Sequence, residues 1–317
     1  MPLSIAWDGP WQASPHERRV RRGMIAEAIV KASPLLFCAI SFLVAWKAGI
    51  VNIGAEGQFL AGALAATAVA TRVSASGGAL LVLALLSGAL GGALWAGIAS
   101  WLSQKRGVLD VLATILLNFI AAGLVSTSVH GFLQERGRTF PQSDSIPEAA
   151  RLPILVAGTR MHAGILLAVA LAVLLSYLLR KTKNGFRILA VGAGPAAADL
   201  AGIPVARVRH VAFLAAGAAA GLGGAVELTG ITGRLFDSFS PGFGYLGLAV
   251  AVVGQLAPVG AIMASLAFGF LNVFAALLQR RYGISAASAL ILEGALLLAA
   301  LGASSLRGAV RSAWRAA

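Results

Sequence analysis

Apolar stretches separated by short polar connections run along almost the whole chain. A membrane-crossing helix needs about 20 mostly apolar residues, within a range of about 17–25. On that measure the pattern marks segments at 32–50, 59–73, 79–101, 111–132, 163–179, 211–226, 245–256, 259–278 and 285–301, two of them short. The fold class this predicts is all-α, a polytopic transmembrane helical bundle of about 8–10 membrane segments. Between the first two segments, Asn52, Gly54, Glu56, Gly57 and Gln58 interrupt the apolar run. Backbone can leave a helix at membrane depth only where protein or a water-filled cavity satisfies its polar groups, so a broken or re-entrant segment is expected near residues 50–60.

Composition sharpens this picture. Hydrophobic residues make up 58% of the 317 and mean hydropathy is +0.85, above the roughly 45–50% apolar usage of soluble domains. One domain is expected over 1–317, with a polar N-terminal segment at 1–31 that has no apolar core of a signal peptide. The glycines lie inside apolar runs, as at Gly88, Gly91 and Gly92 or Gly217 and Gly221. Lipid supplies no hydrophobic drive between helices, so small residues at such places mark close backbone packing.

The net charge of +13 would suggest nucleic acid in a soluble protein, but here the basic residues flank apolar segments. No nucleic-acid partner is expected, and membrane lipid is the surrounding medium. Residues 180–209 carry Arg180, Lys181, Lys183, Arg187, Arg207 and Arg209 against the single acid Asp199, which predicts a cytoplasmic loop. The stretch 134–162, with Pro141, Pro147 and Pro153, reads as external. Counting four segments onward returns the C-terminus, with Arg307, Arg311 and Arg315, to the cytoplasm. Counting five backward places the Arg18–Arg22 cluster outside, against the same rule. Either the 52–59 region is re-entrant, which is the reading favoured here, or the basic N-terminus lies outside. Trp7, Trp11, Trp46, Trp95, Trp101 and Trp314 fall near proposed segment ends, as an interfacial belt would have them.

The polar interruptions also carry a resemblance. Val51 to Gln58 reads V-N-I-G-A-E-G-Q and is similar to the N-I-G-x-E-G-Q signature of bacterial ABC-importer permeases of the nucleoside and simple-sugar branch. Leu109 to Asn118 resembles that family's N-E-V-I-x-T-x-M-L-N segment, with Asp110 where Glu is usual. Gly185 to Ile203 resembles its cytoplasmic G-x-x-x-R-A-x-G-x-N-P-x-A-A-x-x-A-G-I loop, with Leu189 at the usual Arg, Gly194 at the usual Asn and Arg187 two residues ahead. Tyr245 to Gly254, followed by Pro258 and Gly260, resembles a fourth stretch, with Ala257 at the usual Asn. No counterpart of the family's first membrane span is expected in the residues before 32.

The resemblance implies a multi-pass permease of the bacterial cytoplasmic (inner) membrane. Such a subunit passes a nucleoside or related small polar solute inward by alternating access. It implies a separate ABC ATPase that uses the ATP, a second permease subunit, similar but distinct, and an extracytoplasmic solute-binding protein. A simple-sugar or purine-derivative solute is the alternative. A Walker A loop needs Gly-x-x-x-x-Gly-Lys-Ser/Thr, and none of the five lysines follows a glycine. The chain is therefore expected to be a transport subunit, not an enzyme, with no cofactor of its own.

Candidate residues for the solute path or the broken helix are Asn52, Gly54, Glu56, Gln58, Thr114, Asn118, Phe243 and Tyr245. An acid such as Glu56 is costly at membrane depth and faces either a supporting network or a water cavity. Thr114 and Asn118, four apart, share one helix face. Phe243 and Tyr245 can stack on a nucleobase. Candidates for the ATPase-coupling loop, 181–209, are Gly185, Arg187, Gly192, Pro195, Ala197 and Gly202, with a short helix expected after Pro195. Glu227 and Glu293 read as structural acids, and the lone Cys38 as inert. Neither catalytic nor metal-binding residues are expected. An ion-coupled secondary transporter would show charged relays and inverted repeats, and neither is evident. A non-transporting scaffold leaves the 52–58 break and the 185–203 loop without a role.

Overall fold

The structure, a computed structural model, describes residues 15–75 and 78–283 together with positions 291, 294 and 295. The segment expected at 285–301 lies outside the described residues apart from those three positions, as do Glu293, Trp7, Trp11 and Trp314. Ten helices appear among the described residues: α1 (Pro15–Lys47), α2 (Ala55–Arg72), α3 (Gly78–Arg106), α4 (Asp110–Val129), α5 (Gly164–Lys181), α6 (Lys183–Ala193), α7 (Pro195–Leu200), α8 (Val205–Glu227), α9 (Phe243–Val253) and α10 (Pro258–Tyr282). Six of them are long and apolar enough to cross a membrane. Adding α2 and the short α9 gives the eight segments that the apolar pattern marks before residue 285, in an all-α bundle.

α1 begins on the side of the 130–163 loop, where Arg160 lies 3.6 Å from Glu27. It ends at the α6 side, where Gly49 (φ +71) meets the backbone of Gly192. α2 returns, so that Arg72 stacks on Phe132 beyond the end of α4. α3, α4, α5 and α8 then alternate, and the 15–22 stretch stands on the loop side. The parity problem is thus settled by the position of the N-terminal residues. The 48–54 segment does leave helical geometry, yet it joins two antiparallel helices and leaves the crossing count unchanged. Residues 15–31 are part of α1, in which Ala26, Ala28 and Val30 are buried.

α1 is the hub. In its most apolar window 89% of residues are buried, against 28% in α3, and a helix apolar all round belongs in such a place. α2, α3 and α8 meet through glycine. A Cβ on Gly92 would lie 2.2 Å from the Gly217 carbonyl oxygen, and one on Gly62 2.3 Å from Gly221 Cα. The backbones themselves form the contact, as the small-residue pattern predicts. Among the described tryptophans Trp95 is the exception to the interfacial belt: it sits mid-helix in α3, half-buried, with its indole Nε1 enclosed and without a hydrogen-bond partner.

α8 runs into a π-helical turn, Leu228–Thr232, closed by Gly233 at φ +64. Residues 233–242 then descend without helix until α9 starts inside the bundle, with Gly247 against Cys38 of α1. With 11 residues, α9 spans about 16 Å, roughly half the hydrocarbon thickness. The loop from 130 to 163 folds over this descent. Ser143 N–H donates to the Leu235 carbonyl (2.7 Å), Ile146 N–H to Gly233 (2.9 Å) and Leu152 N–H to Thr229 (3.0 Å). His162, fully buried, packs on Gly164 and Gly230.

Candidate functional site

The first turn of a helix leaves its N–H groups without intrahelical partners, and at membrane depth no water replaces them. At the start of α2 the side chains of α4 do so. Ile53 N–H donates to Thr114 Oγ1 (3.3 Å), Gly57 N–H donates to Asn118 Oδ1 (2.8 Å), and Asn118 Nδ2 donates to the Ile53 carbonyl (2.9 Å). Asn52 Oδ1 accepts from Gly54 N–H at 2.9 Å. Asn52 and Gln58 pair through reciprocal amide bonds of 3.1 Å, and Ser41 donates to Gln58 Oε1 at 3.2 Å. Asn52, Gln58, Thr114 and Ser41 are all fully buried. The motif glycines fit the same closeness, since a Cβ on Gly57 would lie 2.9 Å from Asn118 Oδ1 and 3.0 Å from Trp95 Nε1.

Glu56, one residue into α2, reaches the other broken helix. Gly244 N–H in the first turn of α9 donates to Glu56 Oε2 at 2.7 Å. The Ser240 hydroxyl accepts from Gly242 N–H (3.2 Å) and Phe243 N–H (3.1 Å), capping α9, and also reaches the Glu56 carboxylate. A carboxylate at a helix N-terminus is favoured by the helix dipole and by the free N–H groups. The N-termini of α2 and α9 therefore converge on one acid. A Cβ on Gly244 would fall 2.1 Å from the Glu56 backbone nitrogen, so only glycine allows this approach.

Beside Glu56 a cavity of about 470 Å³ opens between α4, α9 and the descending 237–240 segment. Glu56, Asn118 and Tyr245 line it, together with Phe119, Phe239 and Asp237. Tyr245 is 44% exposed, and Asn118 Nδ2 lies 3.2 Å from its hydroxyl. Of the eight candidates for the path, these three face open space. Asn52, Gly54, Gln58 and Thr114 stand behind them as the support of the break. Phe243 also stands behind, buried edge-on against Phe59 with ring centroids 5.7 Å apart. Phe119, Phe239, Asp237 and Ser240 are absent from the candidates read from sequence. Nothing in their local pattern separates them from loop or lipid-facing residues until the 233–242 segment is seen to descend.

The basic loop consists of two helices, α6 and α7, between the end of α5 and the start of α8. Gly185 is buried, and a Cβ there would meet the Leu178 carbonyl oxygen at 2.0 Å. One on Gly192 would meet that of Lys47 at 2.2 Å. Both glycines seat α6 against the bundle. The short helix expected after Pro195 is α7, with Pro195 at its first position and Ala198 buried. Pro195, Ala197 and Arg187 are exposed, and Gly202, at φ +78, makes the turn into α8. Leu200, at the end of α7, is 92% exposed and Phe186 66%, apolar knobs absent from the loop candidates read from sequence. Among the described residues no group of three or more His, Cys, Asp or Glu side chains is placed to hold a metal.

A polytopic bundle in which α2 and α9 both start on buried polar groups suits a membrane permease. The chain matches, over residues 24–301, the family described as branched-chain amino acid transport system / permease component, and it belongs to that family. It is 38% identical to the glucose ABC transporter permease protein TsgB13 of Haloferax volcanii, over 86% of this chain and 75% of that one. It is 32% identical to the guanosine ABC transporter permease protein NupP of Bacillus subtilis (78% and 72%) and to the nucleoside ABC transporter permease protein NupB of Lactococcus lactis (78% and 71%). The protein is thus the membrane permease subunit of an ATP-binding-cassette importer, a multi-pass protein of the inner membrane that works with the ATPase of such a system.

Proposed function

We propose that this permease carries a nucleoside inward along a path that passes the cavity of Glu56, Asn118 and Tyr245. The observation that supports this reading most is the cavity itself: an acid and an amide held by two helix N-termini, with Phe119, Phe239 and Tyr245 beside them. Carboxylate and amide suit ribose hydroxyls and base edges, and the rings suit stacking on a planar base. Transporters place discontinuous helices at solute sites in this way. Guanosine and nucleosides are named for two of the relatives above.

The exposed face of α4, with Leu112, Leu116, Phe119 and Ile120, flanks the open side of the cavity and is the natural seat of a second permease subunit, similar but distinct. The α6–α7 face, with Leu200, Phe186 and Arg187, is the cytoplasmic docking surface for the ATPase, which consumes the ATP. This chain needs no cofactor of its own. A solute-binding protein delivers from the loop side. A simple sugar is the second reading, favoured by the identity to the glucose permease. The test is uptake of labelled adenosine and uridine by cells carrying the complete system, with this chain present or deleted. Uptake lost on deletion and competed by cold nucleoside but not by ribose or glucose supports the nucleoside. Competition by glucose or ribose alone moves the assignment to sugars.

A further inference from the structure

On the α6 side, the start of α4 is tied to the start of α8. Arg209 Nη2 lies 2.7 Å from Asp110 Oδ2, with side chains 29% and 14% exposed. Ser103, at the end of α3, donates to the other carboxylate oxygen of Asp110. His210 Nδ1, the next residue of α8, is 2.9 Å from Ser100 Oγ, to which Gln104 donates at 2.8 Å. Arg209 is also joined to α7. The turn between α7 and α8 is closed by Ala201 N–H to Ala197 (3.1 Å), Gly202 N–H to Asp199 (2.9 Å) and Ile203 N–H to Ala198 (3.0 Å). Val208 N–H to Pro204 (3.0 Å) continues it into α8. Asp199, Ala196 and Pro195 line one groove with Arg209 and Ser103.

At its other contacts α4 holds the broken start of α2. Thr114 and Asn118 lie four and eight residues beyond Asp110, about 6 and 12 Å along the axis. They carry the hydrogen bonds to Ile53 and Gly57. One continuous helix therefore has its first residue ion-paired to the α7–α8 unit and its next two turns bonded to the backbone beside Glu56.

We infer that the Asp110–Arg209 pair is the link through which movement of α7 reaches the α2 break, with α4 as the rigid arm. Both residues are positioning residues, since neither touches the cavity. The pair is half-buried and bonded at both carboxylate oxygens, so that separating it leaves charge in a low-dielectric place. Arg209 stands one turn into α8 beyond the α7–α8 turn, so a shift of α7 that carries this end of α8 pulls on α4 through the pair.

The inference rests on α7 being the ATPase docking element, and the test separates the two claims. The whole importer, in lipid nanodiscs, is followed by amide exchange with and without ATP and vanadate. In the wild type both 195–200 and 52–58 should respond. In Asp110→Ala the response at 195–200 should persist while that at 52–58 falls roughly fivefold or more, the low end of coupling between sites. Asp110→Asn, which retains the Ser103 hydrogen bond, should behave alike. The exchanged pair Asp110→Arg with Arg209→Asp should restore the response. An undiminished response at 52–58 in both single variants overturns the link. A wild-type response at 52–58 with none at 195–200 overturns the docking claim, and the route drawn from it.

Discussion

The two helix breaks face each other across Glu56, and they are held in different ways. The start of α2 is bonded to the inward face of α4, a membrane helix, through Thr114 and Asn118. The start of α9 hangs from a non-helical descent that the 130–163 loop clasps from outside through Ser143, Ile146 and Leu152. One break is fixed by the bundle, the other by a water-facing cover. The difference teaches where each start is held: the descent into α9 answers to a loop, whereas the first turn of α2 answers to polar side chains of α4.

The largest test of that contrast is Asn118→Leu. It strands Gly57 N–H and the Ile53 carbonyl in the bundle at about 1–3 kcal/mol each, and the variant should not survive as a monodisperse peak in size-exclusion chromatography. Glutamine, which can keep both bonds only by moving α2, should recover part of the yield. Equal yields for wild type and leucine would mean that α4 does not hold the break.

The loop-held break should instead be sensitive to acid. Burial keeps the His162 imidazole neutral, with its pKa lowered from 6.5 to about 4. The unfolded chain then binds a proton that the folded loop refuses, so stability is intact above about pH 6.5 and declines as pH falls toward 4. The loss is about 2 kcal/mol at pH 5. Amide exchange at 228–242 should quicken between pH 7 and 5 after correction for intrinsic rates, while 52–58 stays unchanged. His162→Gln should abolish the difference. Parallel quickening of both segments would remove the distinction between the breaks.

Smaller effects are expected at Glu56 itself. Glu56→Gln retains an acceptor for Gly244 N–H, so the protein should fold with stability altered by no more than about 1 kcal/mol, yet uptake should drop about tenfold. Unchanged uptake would make Glu56 a purely structural acid. Smallest of all, Tyr245→Phe removes one hydroxyl bonded to Asn118 and should cost a few-fold in uptake with full stability. Phe243→Leu should show the reverse, with stability lowered by about 1 kcal/mol and uptake kept.

Much of this is legible in the sequence. Apolar length marks all eight segments, seven of them to within six residues at either end, because a lipid core demands long apolar helices; α1 is the exception, since it begins at Pro15 and not at 32. The interruption at Asn52–Gln58 announced buried polar work, since such residues are tolerated at depth only when satisfied. What could not be read was which polar residues face each other. The i to i+4 spacing of Thr114 and Asn118 shows a shared face but not that Ile53 and Gly57 lie on it. Phe119 and Phe239 gain meaning only from the descent of 233–242, which a one-dimensional pattern cannot show. The side of the N-terminus is hidden from the sequence for a physical reason as well: the positive-inside rule weighs only the charges at 18–22, while the Glu27–Arg160 contact that sets their side joins residues far apart in sequence.

The enclosure of α1 has a consequence for how the molecule is made. It is the first described helix to leave the ribosome, and most of its surface is covered by α8, α9 and α10, the last of the described helices to be synthesised. During translation Ser33, Cys38 and Ser41 therefore face lipid or an insertase, and α1 waits in the bilayer as a single apolar rod. Nascent chains halted before residue 205 should stay exposed to lipid-soluble thiol reagents at Cys38, and the cysteine should vanish from reach only as the last helices close around it.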